Sequence, residues 1–117
     1  MSSCIPIFKR APGFDVSNLI IEKKRNGYVV EIVSGRRIDG VEAFVTQSNW
    51  LVITIASTSV DLGRLRSMKP FGIVSKIETE SFESSVQVSM KLNVKVKSVE
   101  VVNDQPTTNV FVNLLTD

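Results

Sequence analysis

The stretch Val86-Gln87-Val88-Ser89-Met90-Lys91-Leu92 places an apolar residue at every second position. Successive side chains of a β-strand point to opposite faces, so this alternation reads as a strand with one buried and one solvated face. Burying Val86, Val88, Met90 and Leu92 is worth roughly 1.5–3 kcal/mol each before conformational entropy is subtracted. Similar runs, rich in Val, Ile and Thr, lie at 17–22, 28–34, 41–46, 50–56, 73–79, 96–102 and 109–115. Turn-forming residues separate them: Asn26-Gly27, Ser34-Gly35, Asp39-Gly40, Ser48-Asn49 and Asn103-Asp104-Gln105-Pro106. The chain is therefore expected to be all-β.

An internal echo organises these strands. At a shift of 58 residues, Val16-Ser17-Asn18-Leu19 falls on Val74-Ser75-Lys76-Ile77. Tyr28, Val30 and Ile32 fall on Val86, Val88 and Met90, and Val41 and Ala43 fall on Val99 and Val101. One further residue of shift brings Leu51, Ile53 and Ile55 onto Val110, Val112 and Leu114. A duplicated four-strand meander accounts for this pattern, and chance matching of Val-rich strands is the alternative. Each meander has one apolar face, so two copies are expected to cover one another as a two-sheet antiparallel β-sandwich. The expected organisation is an arm over 1–15 and a domain over 16–117, with repeat halves at about 16–56 and 73–115.

The connector 57–72 carries a short helical pattern over 60–66, with Ser59 as its candidate cap. Met68 and Phe71 are expected to close one end of the core. If Val30, Ile32, Leu51, Ile53 and Ile55 point inward, then Val29, Glu31, Val33, Trp50, Val52 and Thr54 point outward. On the meander reading these share one outer face beside Arg36 and Arg37, an apolar patch with polar flanks that suits a contact surface. The plainer expectation is that the arm at 5–14, with Phe8 and Phe14, lies over that face.

Composition removes much chemistry. The chain has 117 residues, no histidine and one cysteine, Cys4. A Ser-His-Asp or Cys-His arrangement lacks its imidazole base, a structural zinc site lacks its ligands, and an internal disulfide lacks its partner. Glu78, Glu80 and Glu83 lie close in sequence, but on a strand such residues mostly make a solvated face. No run approaches the roughly 20 apolar residues of a transmembrane helix, and residues 1–10 lack the apolar segment of a secretory signal. The net charge is +2, with ten Lys and Arg against six Asp and Glu in residues 1–69, and four against six in residues 70–117. Nucleic-acid binding calls for a stronger, clustered basic excess and is not expected. The abrupt ending Leu114-Leu115-Thr116-Asp117, in or just after an apolar run, suggests a piece of a longer protein.

Two stretches together resemble a known module. Pro70-Phe71-Gly72-Ile73-Val74-Ser75-Lys76-Ile77 followed by Val86-Gln87-Val88-Ser89-Met90-Lys91-Leu92 is similar to the second half of an AMIN domain. Tyr28-Val29-Val30-Glu31-Ile32, Val41-Glu42-Ala43-Phe44-Val45 and Trp50-Leu51-Val52-Ile53-Thr54-Ile55 are similar to its first half, so the resemblance spans about residues 16–115. It implies a β-sandwich with an internal pseudo-repeat, found in periplasmic N-acetylmuramoyl-L-alanine amidases, secretins and other envelope proteins. It also implies binding to peptidoglycan or another cell-wall component rather than catalysis, since amidase zinc chemistry belongs to a separate domain. Family members often carry Arg and Asp at the two ends of the strand matching 50–56, and Arg before the strand matching 86–92. This chain has Trp50, Thr54 and Ser85 there, so contacts through those groups do not carry over.

The expected function is that of a non-catalytic module of the periplasm or cell envelope, without cofactor or metal, localising a larger protein such as an amidase. Tyr28 and Trp50 are the expected apolar platforms. Arg36, Arg37 and Lys91 are the expected donors to acidic peptide or sugar oxygens. The alternative is an assembly module of a secretion or pilus secretin complex, docking an envelope protein or adding a strand along 86–96.

Overall fold

The computed structural model describes residues 16–35, 37–38, 40–56, 60–70, 72–103 and 108–116. Among these residues the chain forms eight strands and one short helix. The strands are β1 (Val16–Lys24), β2 (Gly27–Ser34), β3 (Val41–Val45), β4 (Trp50–Ala56), β5 (Val74–Ser81), β6 (Ser85–Leu92), β7 (Val96–Asn103) and β8 (Val110–Thr116). The helix, α1 (Leu62–Arg66), lies between β4 and β5. Each strand overlaps one of the runs of alternating or continuous apolar sequence. The stretch 86–96 is not one strand, because pairing stops at Leu92 and resumes at Val96.

Two four-stranded antiparallel sheets result, in the orders β1-β2-β8-β7 and β3-β4-β6-β5. The sandwich is as expected, but its wiring is not that of two stacked meanders. Each half of the chain gives one hairpin to each sheet, and the central pairs β2–β8 and β4–β6 join strands from different halves. Alternation in a strand fixes which side chains face the core, and says nothing of which strand lies alongside. Crossing between sheets after β2 and again after β6 lets each half cover part of its own apolar face.

The repeat survives this exchange in register. Val16 pairs with Ser34 and Asn18 with Val33, with an irregularity between Val16 and Asn18. At an offset of 58, Val74 pairs with Leu92 and Lys76 with Lys91, with the same irregularity between Val74 and Lys76. Tyr28, Val30 and Ile32 pair with Leu114, Val112 and Val110. Their equivalents Val86, Val88 and Met90 pair with Ile55, Ile53 and Leu51. The two halves are thus related by a pseudo-twofold operation that swaps the sheets.

The core lies between the sheets. Val30, Ile32, Leu51, Ile53, Ile55, Val88, Met90, Val110 and Val112 are buried, each from the inward phase of its strand. On one open side, β3 of the second sheet packs near β7 of the first. On the other, α1 packs against β1 and β5 and inserts Leu65 into the core. Val60 forms a bridge to Val16, and the Asp61 amide donates to the Val16 carbonyl at 2.9 Å. The cap of α1 is Asp61, whose carboxylate accepts from the Arg64 amide at 3.1 Å. Ser59, the candidate read from sequence, lies outside the described residues, as does Phe71. Met68 is half-buried against the core.

Gly63 is exposed inside α1, and a Cβ there would meet only the Asp61 carboxylate at an ordinary 3.6 Å. Glycine costs a helix about 1 kcal/mol relative to alanine. Gly63→Ala is expected to raise stability by about 0.5–1 kcal/mol, read as an increased midpoint of denaturant unfolding at unchanged slope.

Candidate functional site

Strand phase and sheet order together fix what each outer face displays. On the second sheet the outward residues of β4 are Trp50, Val52 and Thr54. They stand opposite Lys91, Ser89 and Gln87 of β6. Phe44 of β3 stands opposite Val52 on the other flank. Phe44 is 54% exposed, whereas Val52 is only 7% exposed although it points away from the core. Trp50, two residues away on its own strand, and Phe44, opposite on β3, flank Val52 on this face. The Lys91 ammonium lies 5.8 Å from the centroid of the Trp50 ring. That separation is within the range where a cation is attracted to an aromatic face. The same ammonium donates to the Ser48 carbonyl, which fixes it beside the indole.

The turn over 46–49 holds Trp50 in place. Asn49 has φ of 70°, a left-handed conformation that asparagine tolerates better than most side-chain-bearing residues. The Thr46 amide donates to the Trp50 carbonyl at 2.9 Å, and the Trp50 amide donates to the Thr46 hydroxyl at 3.1 Å. Asn49 Nδ2 donates to the carbonyls of Leu92 at 3.0 Å and Val94 at 2.6 Å. One side chain thereby ties the turn that precedes Trp50 to the connection that follows Lys91.

Of the residues singled out from sequence, the structure brings Trp50 and Lys91 together. Tyr28 is half-buried at the first residue but one of β2, in the phase of Val30 and Ile32, and packs against the core. Arg37 is exposed beyond the far end of β2, and Arg36 lies outside the described residues. Val29 and Val33 are on the outer face of the first sheet, not beside Trp50 and Val52, because β2 and β4 belong to different sheets. Phe44 was missed as a candidate, yet alternation signals it: Val41, Ala43 and Val45 take the inward phase and leave Phe44 outside. The arm at 5–14 lies outside the described residues.

The first sheet has its own apolar outer face. Ile20, Val102 and Leu115 are 39%, 38% and 43% exposed, with Val29, Val33 and Phe111 half-buried among them. Glu31 interrupts this face and accepts from Asn109 Nδ2 at 2.5 Å.

Basic residues concentrate at one end of the sandwich. Leu92 and Val96 are separated by only three residues, so the Trp50–Lys91 end of the second sheet adjoins the Gly27–Thr116 end of the first. Lys23, Lys24, Arg25, Lys76, Lys91, Lys95 and Lys97 gather at this end, with Glu22 among them. Glu42, Glu80 and Glu83 fall toward the other, where Arg37 also lies. The basic residues come from both halves of the chain, so the charge difference between the halves does not foretell this arrangement. Glu78 and Glu80 are exposed on the edge strand β5, with Glu78 at 3.4 Å from Lys76, and Glu83 is exposed in the following turn. Among the described residues, no three acidic, cysteine or histidine groups are grouped to hold a metal ion, and no helix is long and apolar enough to cross a membrane. Comparison with protein-family models, curated proteins and solved structures finds no match to this chain.

Proposed function

We propose that this chain is a non-catalytic module of the bacterial periplasm or cell envelope that binds peptidoglycan and localises a larger protein such as an amidase. The observation that carries the reading is the outward Trp50 with Lys91 fixed beside it and exposed Phe44 across the strand pair. An indole presents a flat apolar surface and one donor, which suits the apolar face of a sugar ring. The ammonium supplies charge-assisted hydrogen bonds to the carboxylates of peptide stems. A sandwich with an internal repeat is also what the resemblance to AMIN domains implies, and it supports the same reading.

The test is cosedimentation with purified sacculi. The wild-type chain is expected in the pellet at low salt. Trp50→Ala is expected to lower the bound fraction about tenfold at equal protein concentration, because stacked aromatics dominate such surfaces. Lys91→Gln is expected to have a smaller effect that vanishes as salt rises. A wild-type chain that stays in the supernatant, or a Trp50→Ala chain that pellets equally, sinks the reading.

The alternative is an assembly module of a secretin complex, and the apolar outer face of the first sheet favours it. Strand addition along 86–96 has no place in it, since β6 already pairs with β4 and β5. Docking would use the face bearing Ile20, Val102 and Leu115 instead. Charged substitution at Val102 with unchanged sacculus binding and lost complex assembly would favour this reading over the first.

A further inference from the structure

We infer that the basic end of the sandwich binds an anionic amphiphile, with a phosphate ester head among Lys23, Lys24, Arg25 and Lys95 and an apolar body along Val29 and Leu115. Two clefts meet at the turn between β1 and β2. One, of about 480 Å³, is walled by those four cationic residues together with Tyr28 and Val94. The other, of about 400 Å³, opens toward the outer face of the first sheet, where Val29, Leu114 and Leu115 line it. Lys24, Arg25, Gly27 and Tyr28 belong to both. Gly27 has no side chain to divide them.

The first cleft has four positive charges and no carboxylate among its described lining residues. Lys24 lies 3.6 Å from Glu22, but both side chains are more than half exposed, so that pairing yields readily to a stronger anion. A carboxylate ligand brings one negative charge. A phosphate monoester brings about 1.5–2, with three acceptor oxygens. It also suits the forked donors of Arg25, which bind phosphate in bidentate fashion. The second cleft supplies what inorganic phosphate does not need. Leu115 is 43% exposed at its rim, and Tyr28, half-buried between the clefts, is apolar in its ring and polar at its hydroxyl. A charged cleft joined to an apolar one selects a ligand that is charged at one end and apolar at the other. Glu100 on the wall of the second cleft disfavours a second anionic group there. Trp50 and Lys91 line neither cleft, so this inference and the peptidoglycan reading stand or fall separately.

Calorimetric titration with octyl phosphate below its micellar concentration, inorganic phosphate and octyl glucoside tests the inference. Octyl phosphate is expected to bind at least about tenfold more tightly than either of the others. The double variant Lys24→Gln/Arg25→Gln is expected to lose about tenfold or more of that affinity. Leu115→Ser is expected to weaken octyl phosphate and leave inorganic phosphate unchanged. Lys76→Gln, which lies beside Lys91 at the same end of the sandwich but lines neither cleft, is expected to change neither. Thermal unfolding of each variant, all at exposed positions, checks that the fold is intact. Flotation with phosphatidic acid in phosphatidylcholine vesicles identifies the source. Retention on these vesicles but not on phosphatidylcholine alone assigns a bilayer lipid, and octyl phosphate binding without retention assigns a soluble ester; either upholds the inference. It is overturned if octyl phosphate does not bind, if inorganic phosphate binds as tightly, or if Lys76→Gln costs as much as the double variant.

Discussion

Gly27→Ala is expected to abolish cooperative folding or to lower stability by more than about 3 kcal/mol. A Cβ built on Gly27 would lie 1.8 Å from the Leu114 carbonyl oxygen, 2.9 Å from the Leu114 carbonyl carbon and 3.2 Å from the Leu115 Cα. All three atoms are backbone, so no side chain can turn aside to make room. Gly27 pairs with Leu115 at the end of β2–β8, one of the central pairs that join the two halves of the chain. Relief requires the strands to separate there, and Leu114, buried beside the added atom, would leave the core with them. Overpacking in a core typically costs 1–3 kcal/mol where side chains can adjust, and a rigid backbone contact costs more. Far-ultraviolet circular dichroism followed through urea gives the stability directly. A Gly27→Ala chain with a wild-type unfolding midpoint would show that β2 and β8 are not in this register. The contrast with Gly63, where the same substitution is expected to stabilise, separates steric exclusion from any general effect of removing glycine.

The strands were legible because alternation is a local property. Val86, Val88, Met90 and Leu92 announce their own phase, and each of them is buried as that phase requires. The internal echo was legible for the same reason, since Val30 and Val88 hold equivalent places in equivalent hairpins. Partner choice was not legible. Nothing in Val29 or Trp50 records that β2 and β4 belong to different sheets, and the expected single face of Val29, Val33, Trp50 and Val52 came apart on that point. Of the candidate site, Trp50 and Lys91 were found because outward phase alone selects them. Their adjacency arises from pairing between β4 and β6, which come from different halves. The basic end is a product of topology too: Lys95 reaches the turn bearing Arg25 only because the connection after β6 crosses back to the first sheet.

The same wiring makes a second strong expectation. Residues 16–72 and 73–117, produced as separate chains so that α1 and its buried Leu65 are kept, should each be unfolded, and mixed they should recover the sandwich. In a pair of stacked meanders each half would be a complete sheet with its own hydrogen-bonded neighbours. Here residues 16–72 alone form only two separate hairpins, β1–β2 and β3–β4, beside the short α1, and residues 73–117 only β5–β6 and β7–β8. An isolated two-stranded hairpin is marginal at best in water. Each half would also expose the inward residues that the other covers, Ile53 and Ile55 in one and Val88 and Val112 in the other. Mixing supplies both central pairs at once, so assembly should be cooperative in the two fragments and should depend on the concentration of each. Dispersed amide resonances and a blue-shifted Trp50 emission in the mixture, absent from either fragment, are the expected signals. The central residues Ile53 and Val88 pair across the fragment boundary. Ile53→Ala, which costs about 2–5 kcal/mol in an intact core, should therefore prevent complementation altogether in fragments already burdened by the entropy of association. A fragment 16–72 that folds alone as a stable sheet would instead mean that the strands pair within each half.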